Sequence, residues 1–114
     1  MDDSVVVRQQ VGLALRSAGF MVFEAVDGLD GAEKILATPS VSMVVCDLNM
    51  PRLDGIGMLE RVVPERPNLP ILMLTTEGHP DQVSRARRAG AKGWIIKPFK
   101  ADSLVAAVRK LVGG

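Results

Sequence analysis

The sequence predicts an α/β fold in which a parallel β-sheet carries helices on both faces. Short apolar runs alternate with segments of helical periodicity along the whole chain, as in strands joined by crossover helices. Two of these runs, "SMVVCD" and "ILMLTT", are continuously apolar, which is typical of strands buried on both faces. In a parallel sheet the carboxyl ends of the strands meet at one edge, and ligands bind there.

The first half of the chain is predicted to contain a helix, a strand, a second helix and a second strand. Ser4 is a suitable N-cap and Gly19 a suitable end for the first helix, whose apolar positions are Val7, Val11, Leu15 and Ala18. "FMVFEAV" (20–26) indicates a short strand, and "DGLDGAEKILATP" (27–39) a turn and a helix that ends before proline. "SMVVCD" (42–47) is the next strand.

The second half repeats the alternation. "GIGMLERVVPERP" (55–67) predicts a helix and "ILMLTT" (71–76) a buried strand. "DQVSRARRAG" (81–90) has an aspartate start and a glycine stop, as helices do, and "GWIIKP" (93–98) predicts a strand. "DSLVAAVRKLV" (102–112) is the last predicted helix.

Length and composition favour one cytosolic domain spanning residues 1–114. The 114 residues suit a single core, and a net charge of +1 gives no general reason to expect nucleic-acid binding. The only cysteine, Cys46, excludes an internal disulfide, and no apolar run approaches the ~18 residues of a membrane span. "MDDS" is acidic where a signal peptide needs basic residues, so we expect a reduced, cytoplasmic protein.

Polar and charged residues are predicted at the carboxyl ends of the strands. They are Asp2 and Asp3 before the first helix, Asp47 after "SMVVC", Thr75 after "ILML" and Lys97 after "GWII". Three carboxylates this close require a cation, and an all-oxygen ligand set favours Mg²⁺ over zinc. The lysine and the threonine hydroxyl add donors for an anion with several oxygens. A phosphoryl group is the ligand that fits.

Four motifs, in this order and spacing, resemble the receiver domains of two-component response regulators, in particular their chemotaxis-type (CheY-like) members. The motifs are "DDS" (2–4), "CDLNMPRLDG" (46–55), "LTTEG" (74–78) and "AGAKGWIIKPF" (89–99). The resemblance implies a flavodoxin-like, doubly wound sheet with strand order 2-1-3-4-5. It also implies a phosphorelay protein that is itself phosphorylated and that acts as a signalling domain rather than as an enzyme.

The resemblance assigns roles to individual residues. Asp47 is expected to accept a phosphoryl group from a histidine kinase. Mg²⁺ is expected to be bound by Asp3 and Asp47, by Asp2 through water, and by the backbone carbonyl of Asn49. Thr75 and Lys97 are expected to contact the phosphoryl oxygens, and the peptide bond before Pro98 is expected to be cis.

Further roles concern switching and output. Trp94 occupies the aromatic switch position that responds to Thr75, and Asn49 and Glu77 occupy the positions that tune self-dephosphorylation. The fourth helix, fifth strand and fifth helix are expected to form the surface that a downstream protein recognises. The basic residues of "RARRAG", with Lys92 and Lys100, belong either to this docking surface or to an ordinary solvated face.

Simpler roles are open for some of these residues, and different functions are open for the whole chain. An aspartate at a strand end can be only a helix cap, and Cys46 within its apolar run is better interpreted as a small core residue than as a redox sensor. A binding or assembly module with a disabled acidic site is the main alternative function. A further alternative is that the chain is a receiver cut from a larger regulator or hybrid kinase.

The first strand implied by the resemblance is nearly missing, because only Met1 precedes Asp2. Each buried apolar side chain contributes about 1.5–3 kcal/mol, so losing four or five approaches the roughly 5–15 kcal/mol that stabilises a whole domain. Three arrangements are open. Upstream residues are absent from this sequence, a second copy completes the sheet as a homodimer or by segment exchange, or "SVVV" (4–7) itself becomes strand and displaces Asp2 and Asp3.

Overall fold

A computed structural model describes residues 1–2, 4–48, 54–75 and 80–113 of the chain. Within these ranges the helices are α1 (Val5–Ser17), α2 (Gly28–Ala37), α3 (Gly55–Val62), α4 (Pro80–Arg88) and α5 (Ala101–Gly113). The strands are β1 (Val44–Asp47), β2 (Ile71–Thr75) and β3 (Gly93–Ile96). No helix in these ranges combines the length and apolarity that crossing a membrane requires.

The three strands form one parallel sheet in the order β1-β2-β3. Val45 pairs with Leu72, and Met73 pairs with Trp94, so consecutive strands lie next to each other. The central strand, β2, is buried at every residue, as its continuously apolar sequence predicts. The predicted parallel α/β architecture is confirmed, and β1, β2 and β3 are the predicted third, fourth and fifth strands.

Side-chain caps mark the starts of the first three helices, and at α1 they agree with the predicted Ser4 cap and Gly19 end. The Ser4 hydroxyl accepts a hydrogen bond from the Val7 N–H at 3.3 Å and caps α1. Asp27 caps α2 and Asp54 caps α3 through their carboxylates. Gly19, after α1, has a φ of 95°, a conformation that glycine adopts without strain.

Two apolar cores cover the two faces of the sheet. One lies beneath α2 and α3 and contains Met58, Leu59 and Ile71, which are fully buried. The other lies beneath α1 and α5, where Leu72 and Leu104 are buried together. Helices therefore cover both faces of the sheet, and the polar residues at the carboxyl ends of the strands remain available to form a site.

One expectation for the first part of the chain is wrong, since residues 20–26 form no strand. Of the three arrangements left open for the start of the chain, the one in which "SVVV" becomes strand is excluded, because Val5–Val7 lie in α1. A strand needs a neighbour to share its hydrogen bonds. In the order 2-1-3-4-5 the neighbour of residues 20–26 is the first strand, of which Met1 and Asp2 are described. Between these two residues and residues 20–26 there is one backbone hydrogen bond, from the Asp2 N–H to the Ala25 carbonyl at 3.2 Å.

Candidate phosphoryl-acceptor site

Asp47 is the last residue of β1 and lies buried at the carboxyl edge of the sheet. Its backbone N–H donates to the carbonyl of Met1 at 2.8 Å. The start of α3 lies very close to the end of β1. A Cβ atom on Gly55 would lie 2.8 Å from the Asp47 carbonyl oxygen and 2.6 Å from Cε of Met73. Only glycine allows this approach, which fixes the backbone around Asp47.

Lys97 follows β3 and reaches back across the edge to two carboxylates. Its Nζ lies 2.9 Å from Oδ2 of Asp2 and 3.1 Å from Oδ1 of Asp47. The Lys97–Pro98 peptide bond is cis, as the resemblance predicts, and the Lys97 N–H donates to the Thr75 carbonyl at 2.6 Å. Burial alone lowers the pKa of Lys97, but the hydrogen bonds and charges of Asp2 and Asp47 outweigh it and raise the pKa.

Three hydrogen bonds hold Asp2 in place, in addition to its ion pair with Lys97. Its backbone N–H donates to the Ala25 carbonyl, and its carboxylate accepts a hydrogen bond from the Ser4 N–H at 2.9 Å. The Arg8 guanidinium donates to its carbonyl oxygen at 2.7 Å. Arg8 belongs to no motif in the sequence, and its contact depends on how α1 is oriented, so this role could not be predicted.

Thr75 ends β2 between the ends of β1 and β3, and it is buried. The register pairs it with Ile96, the residue before Lys97. Of the residues predicted to touch a phosphoryl group, Asp47, Thr75 and Lys97 thus share one edge of the sheet. Asp2 joins them through its ion pair with Lys97.

The donor chemistry of the described residues fits Mg²⁺. Asp2 and Asp47 offer only oxygen ligands, and a lysine ammonium balances their charge. Two predicted ligands, Asp3 and Asn49, and the predicted tuning residue Glu77 lie outside the described residues. Across the described ranges, no group of three His, Cys, Asp or Glu side chains is placed to hold a metal.

Trp94 lies in β3 and is half-buried against the core beneath α2 and α3. The guanidinium carbon of Arg87, in α4, lies 4.7 Å from the centre of its ring, a cation–π contact. The sequence predicted the tryptophan as a switch residue but not its arginine partner. Arg85, Arg87 and Arg88 are exposed, so the basic patch lies on the outer side of α4.

Cys46 is fully buried within β1. Burial raises the pKa of its thiol to about 12, so the thiolate is almost absent at neutral pH. The predicted core role of Cys46 is confirmed by its position, and a redox role is disfavoured.

Comparison with known proteins decides the family. The model of the response regulator receiver domain matches residues 1–109. The chain belongs to the response regulator receiver family. It is 35% identical to the chemotaxis protein CheY of Treponema pallidum, over 98% of this chain and 79% of that protein. It is 31% identical to chemotaxis protein CheY1 of Helicobacter pylori, over 99% of this chain and 94% of that protein.

The fold is that of solved CheY structures. The chain superposes on the chemotaxis protein CheY4 of Vibrio cholerae with a TM-score of 0.91 and 33% identity, over 96% of this chain and 92% of that one. The predicted flavodoxin-like, CheY-like fold is thereby confirmed. The receiver domain is a signalling module of two-component systems, and the three relatives named above are chemotaxis proteins.

Proposed function

We propose that Asp47 accepts a phosphoryl group from the phosphohistidine of a sensor kinase. The observation that supports this most is the position of Asp47: a buried carboxylate at the end of β1, with the Lys97 ammonium 3.1 Å from its Oδ1. A carboxylate is a weak nucleophile, and a cation beside it stabilises the negative charge that gathers on the transferring oxygens.

In the proposed reaction a carboxylate oxygen of Asp47 attacks the phosphorus atom. The new oxygen–phosphorus bond forms as the phosphorus–nitrogen bond to the kinase histidine breaks, and the electron pair of that bond returns to the imidazole. The product is an acyl phosphate on Asp47. Lys97 then pairs with one phosphoryl oxygen, and the Thr75 hydroxyl donates to another.

Mg²⁺, when bound, would neutralise the carboxylates and the incoming phosphoryl oxygens. Among the described residues, Asp47 would hold the ion directly and Asp2 through water, with Asp3 and the Asn49 carbonyl proposed as the other ligands. Lys97 balances the charges of Asp2 and Asp47, so binding of a divalent cation should weaken the ion pair between Lys97 and Asp2.

Phosphorylation is proposed to change the surface formed by α4, β3 and α5, where a downstream protein binds. Thr75 would move toward the phosphoryl group, and Trp94 would follow, which alters its contact with Arg87. Asn49 and Glu77 would set the lifetime of the acyl phosphate through self-dephosphorylation. A cytoplasmic setting and a chemotaxis-type output are proposed from the relatives.

Labelling with a small phosphodonor tests this proposal. Incubation with acetyl phosphate and Mg²⁺ should add one phosphoryl mass to the intact protein, and Asp47→Asn should abolish the addition. Asp54→Asn is the matched control, because Asp54 is an exposed carboxylate near the site and asparagine also caps helices. Equal labelling of Asp47→Asn and the native chain would refute the assignment.

A non-phosphorylated assembly module is the second candidate. It is supported by the ion pairs of Lys97 with Asp2 and Asp47, which balance both acidic charges without a metal ion. Titration with Mg²⁺ separates the two functions, since a working acceptor site should saturate and a purely structural one should not respond.

A further inference from the structure

Each polar group of Asp2 is engaged by another described residue. Its N–H donates to the Ala25 carbonyl, and its two carboxylate oxygens accept from the Ser4 N–H and from the Lys97 ammonium, both at 2.9 Å. The backbone carbonyl accepts from Nη1 of Arg8 at 2.7 Å. This is the short distance of a hydrogen bond with a charged donor. Arg8 thus holds the backbone of Asp2 by a side chain that comes from α1.

The Arg8 side chain is itself held by Glu24. It is only 15% exposed, and its Nε lies 3.7 Å from Oε1 of Glu24. The other carboxylate oxygen of Glu24 accepts from Nη2 of Arg16 at 3.1 Å. Arg8, Gly12 and Arg16 are spaced four residues apart and form one row along α1. Glycine leaves the middle of the row free, since a Cβ at position 12 would lie 2.9 Å from Nη1 of Arg16.

The two arginines of this row differ in what they reach. Arg8 extends from Glu24 to the Asp2 carbonyl and is largely buried. Arg16 pairs with Glu24 at the outer end of the row, and its side chain is 51% exposed. The row therefore contains one arginine that contacts the acidic site and one that serves as its natural control.

We propose that Arg8 is a positioning residue for the magnesium site, which orients Asp2 toward the ion without contacting the ion or the phosphoryl group. The inference rests on the proposed function, because it concerns the binding of Mg²⁺ at Asp2 and Asp47. Residues that hydrogen-bond to metal ligands orient them, and their loss typically lowers metal affinity about 10–100-fold. The hold on the Asp2 backbone matters most when the ion weakens the ion pair with Lys97.

Charge alone predicts the opposite effect of removing Arg8. A guanidinium close to the acidic residues repels a divalent cation, so its loss would tighten Mg²⁺ binding. Positioning of Asp2 by Arg8 predicts that the same loss weakens Mg²⁺ binding. The sign of the change in Mg²⁺ affinity therefore separates the two effects.

Calorimetric titration with MgCl₂ tests the proposal on the native chain, Arg8→Met and Arg16→Met. Both substitutions keep an unbranched apolar side chain, and both remove one cation and one partner of Glu24. Arg8→Met should raise the Kd for Mg²⁺ about tenfold. Arg16→Met should leave it unchanged, because its exposed ion pair does not reach Asp2.

The rate of labelling by acetyl phosphate gives a second readout. In Arg8→Met this rate should be low at limiting Mg²⁺ and should return to the native rate at saturating Mg²⁺, because Arg8 acts only through the ion's site. A residue needed only for the fold would lower the rate at both Mg²⁺ concentrations. A deficit that saturating Mg²⁺ did not remove would overturn the positioning role.

Circular dichroism establishes that each variant is folded. If Arg8→Met is unfolded, Arg8→Lys carries the same test, since a single ammonium keeps the charge but does not reproduce the guanidinium's contacts with both Asp2 and Glu24, and the Kd should rise about threefold. Native or tighter Mg²⁺ binding by the folded variant, in a protein whose native chain is labelled at Asp47, would overturn the positioning role and leave the proposed function intact. A native chain that neither bound Mg²⁺ nor became labelled would refute both.

Discussion

The ammonium of Lys97 lies 3.1 Å from a carboxylate oxygen of Asp47, and the same ammonium lies 2.9 Å from Asp2. The three side chains come from the ends of three separate segments of the chain. Both carboxylates are buried, and the lysine side chain is only 15% exposed. Removing the cation would leave two buried negative charges close together.

Lys97→Met should therefore destabilise the metal-free domain by up to about 3 kcal/mol, because breaking a buried ion pair leaves an uncompensated charge. Mg²⁺ should reduce this loss, since the metal supplies the missing positive charge at the two carboxylates. Urea unfolding with and without Mg²⁺ measures both effects. Lys100→Met, on an exposed lysine, is the control and should change the free energy of unfolding by no more than about 0.5 kcal/mol. A loss for Lys97→Met that matched the control would mean that the pairs contribute little.

Gly55→Ala should destabilise the domain by about 1–3 kcal/mol, because its Cβ would collide with the Asp47 carbonyl and Met73. Gly12→Ala is the matched comparison within α1. There the added Cβ meets the far end of the flexible Arg16 side chain, and alanine favours a helix over glycine by about 0.5–1 kcal/mol. The midpoint temperature of thermal unfolding should be lower for Gly55→Ala than for the native chain. For Gly12→Ala it should be equal to that of the native chain or higher. The opposite order would contradict the close approach of α3 to β1.

Cys46 should be almost inert toward alkylating reagents in the native protein. With a thiol pKa of about 12 instead of 9.0, the thiolate fraction at pH 8 falls about a thousandfold, and burial blocks access as well. Iodoacetamide labelling followed by mass spectrometry should be slow without denaturant and fast in urea. Rapid labelling of the native protein would show that the sheet opens readily around β1.

Arg87→Ala should change the fluorescence of Trp94 by removing the cation above its ring. The expected loss of stability is small, about 0.5–1 kcal/mol, because the arginine is exposed. The emission maximum or intensity should shift in this variant and should not shift in Arg88→Ala, whose arginine belongs to the same exposed turn. Identical spectra for the native chain and Arg87→Ala would mean that the contact does not persist in solution.

The helices and the three strands of the sheet could be predicted because their signals are local. Ser4 caps α1 through its own side chain, and the continuous apolar run of β2 indicates burial on both faces without knowledge of its neighbours. The convergence of Asp47, Thr75 and Lys97 could also be predicted, since residues at the carboxyl ends of parallel strands share one edge. Residues 20–26 have the composition of a strand, but a strand depends on a partner, and composition cannot supply one.

Contacts between residues far apart in the chain could not be predicted from the sequence. Arg8 donates to the Asp2 carbonyl and Arg87 stacks on Trp94, and neither contact has a motif or a fixed spacing. Each depends on how a helix is rotated against the sheet, which is decided by the packing of the core.

Identifying the residue that carries the phosphoryl group is the decisive experiment. After reaction with acetyl phosphate and Mg²⁺, borohydride reduction converts a phosphorylated aspartate to homoserine, which tandem mass spectrometry locates in the sequence. Conversion at position 47, abolished when Mg²⁺ is removed with a chelator, is the predicted result. Conversion at another aspartate, or none at position 47 in a folded and Mg²⁺-saturated protein, would contradict the claim that Asp47 is the phosphoryl acceptor.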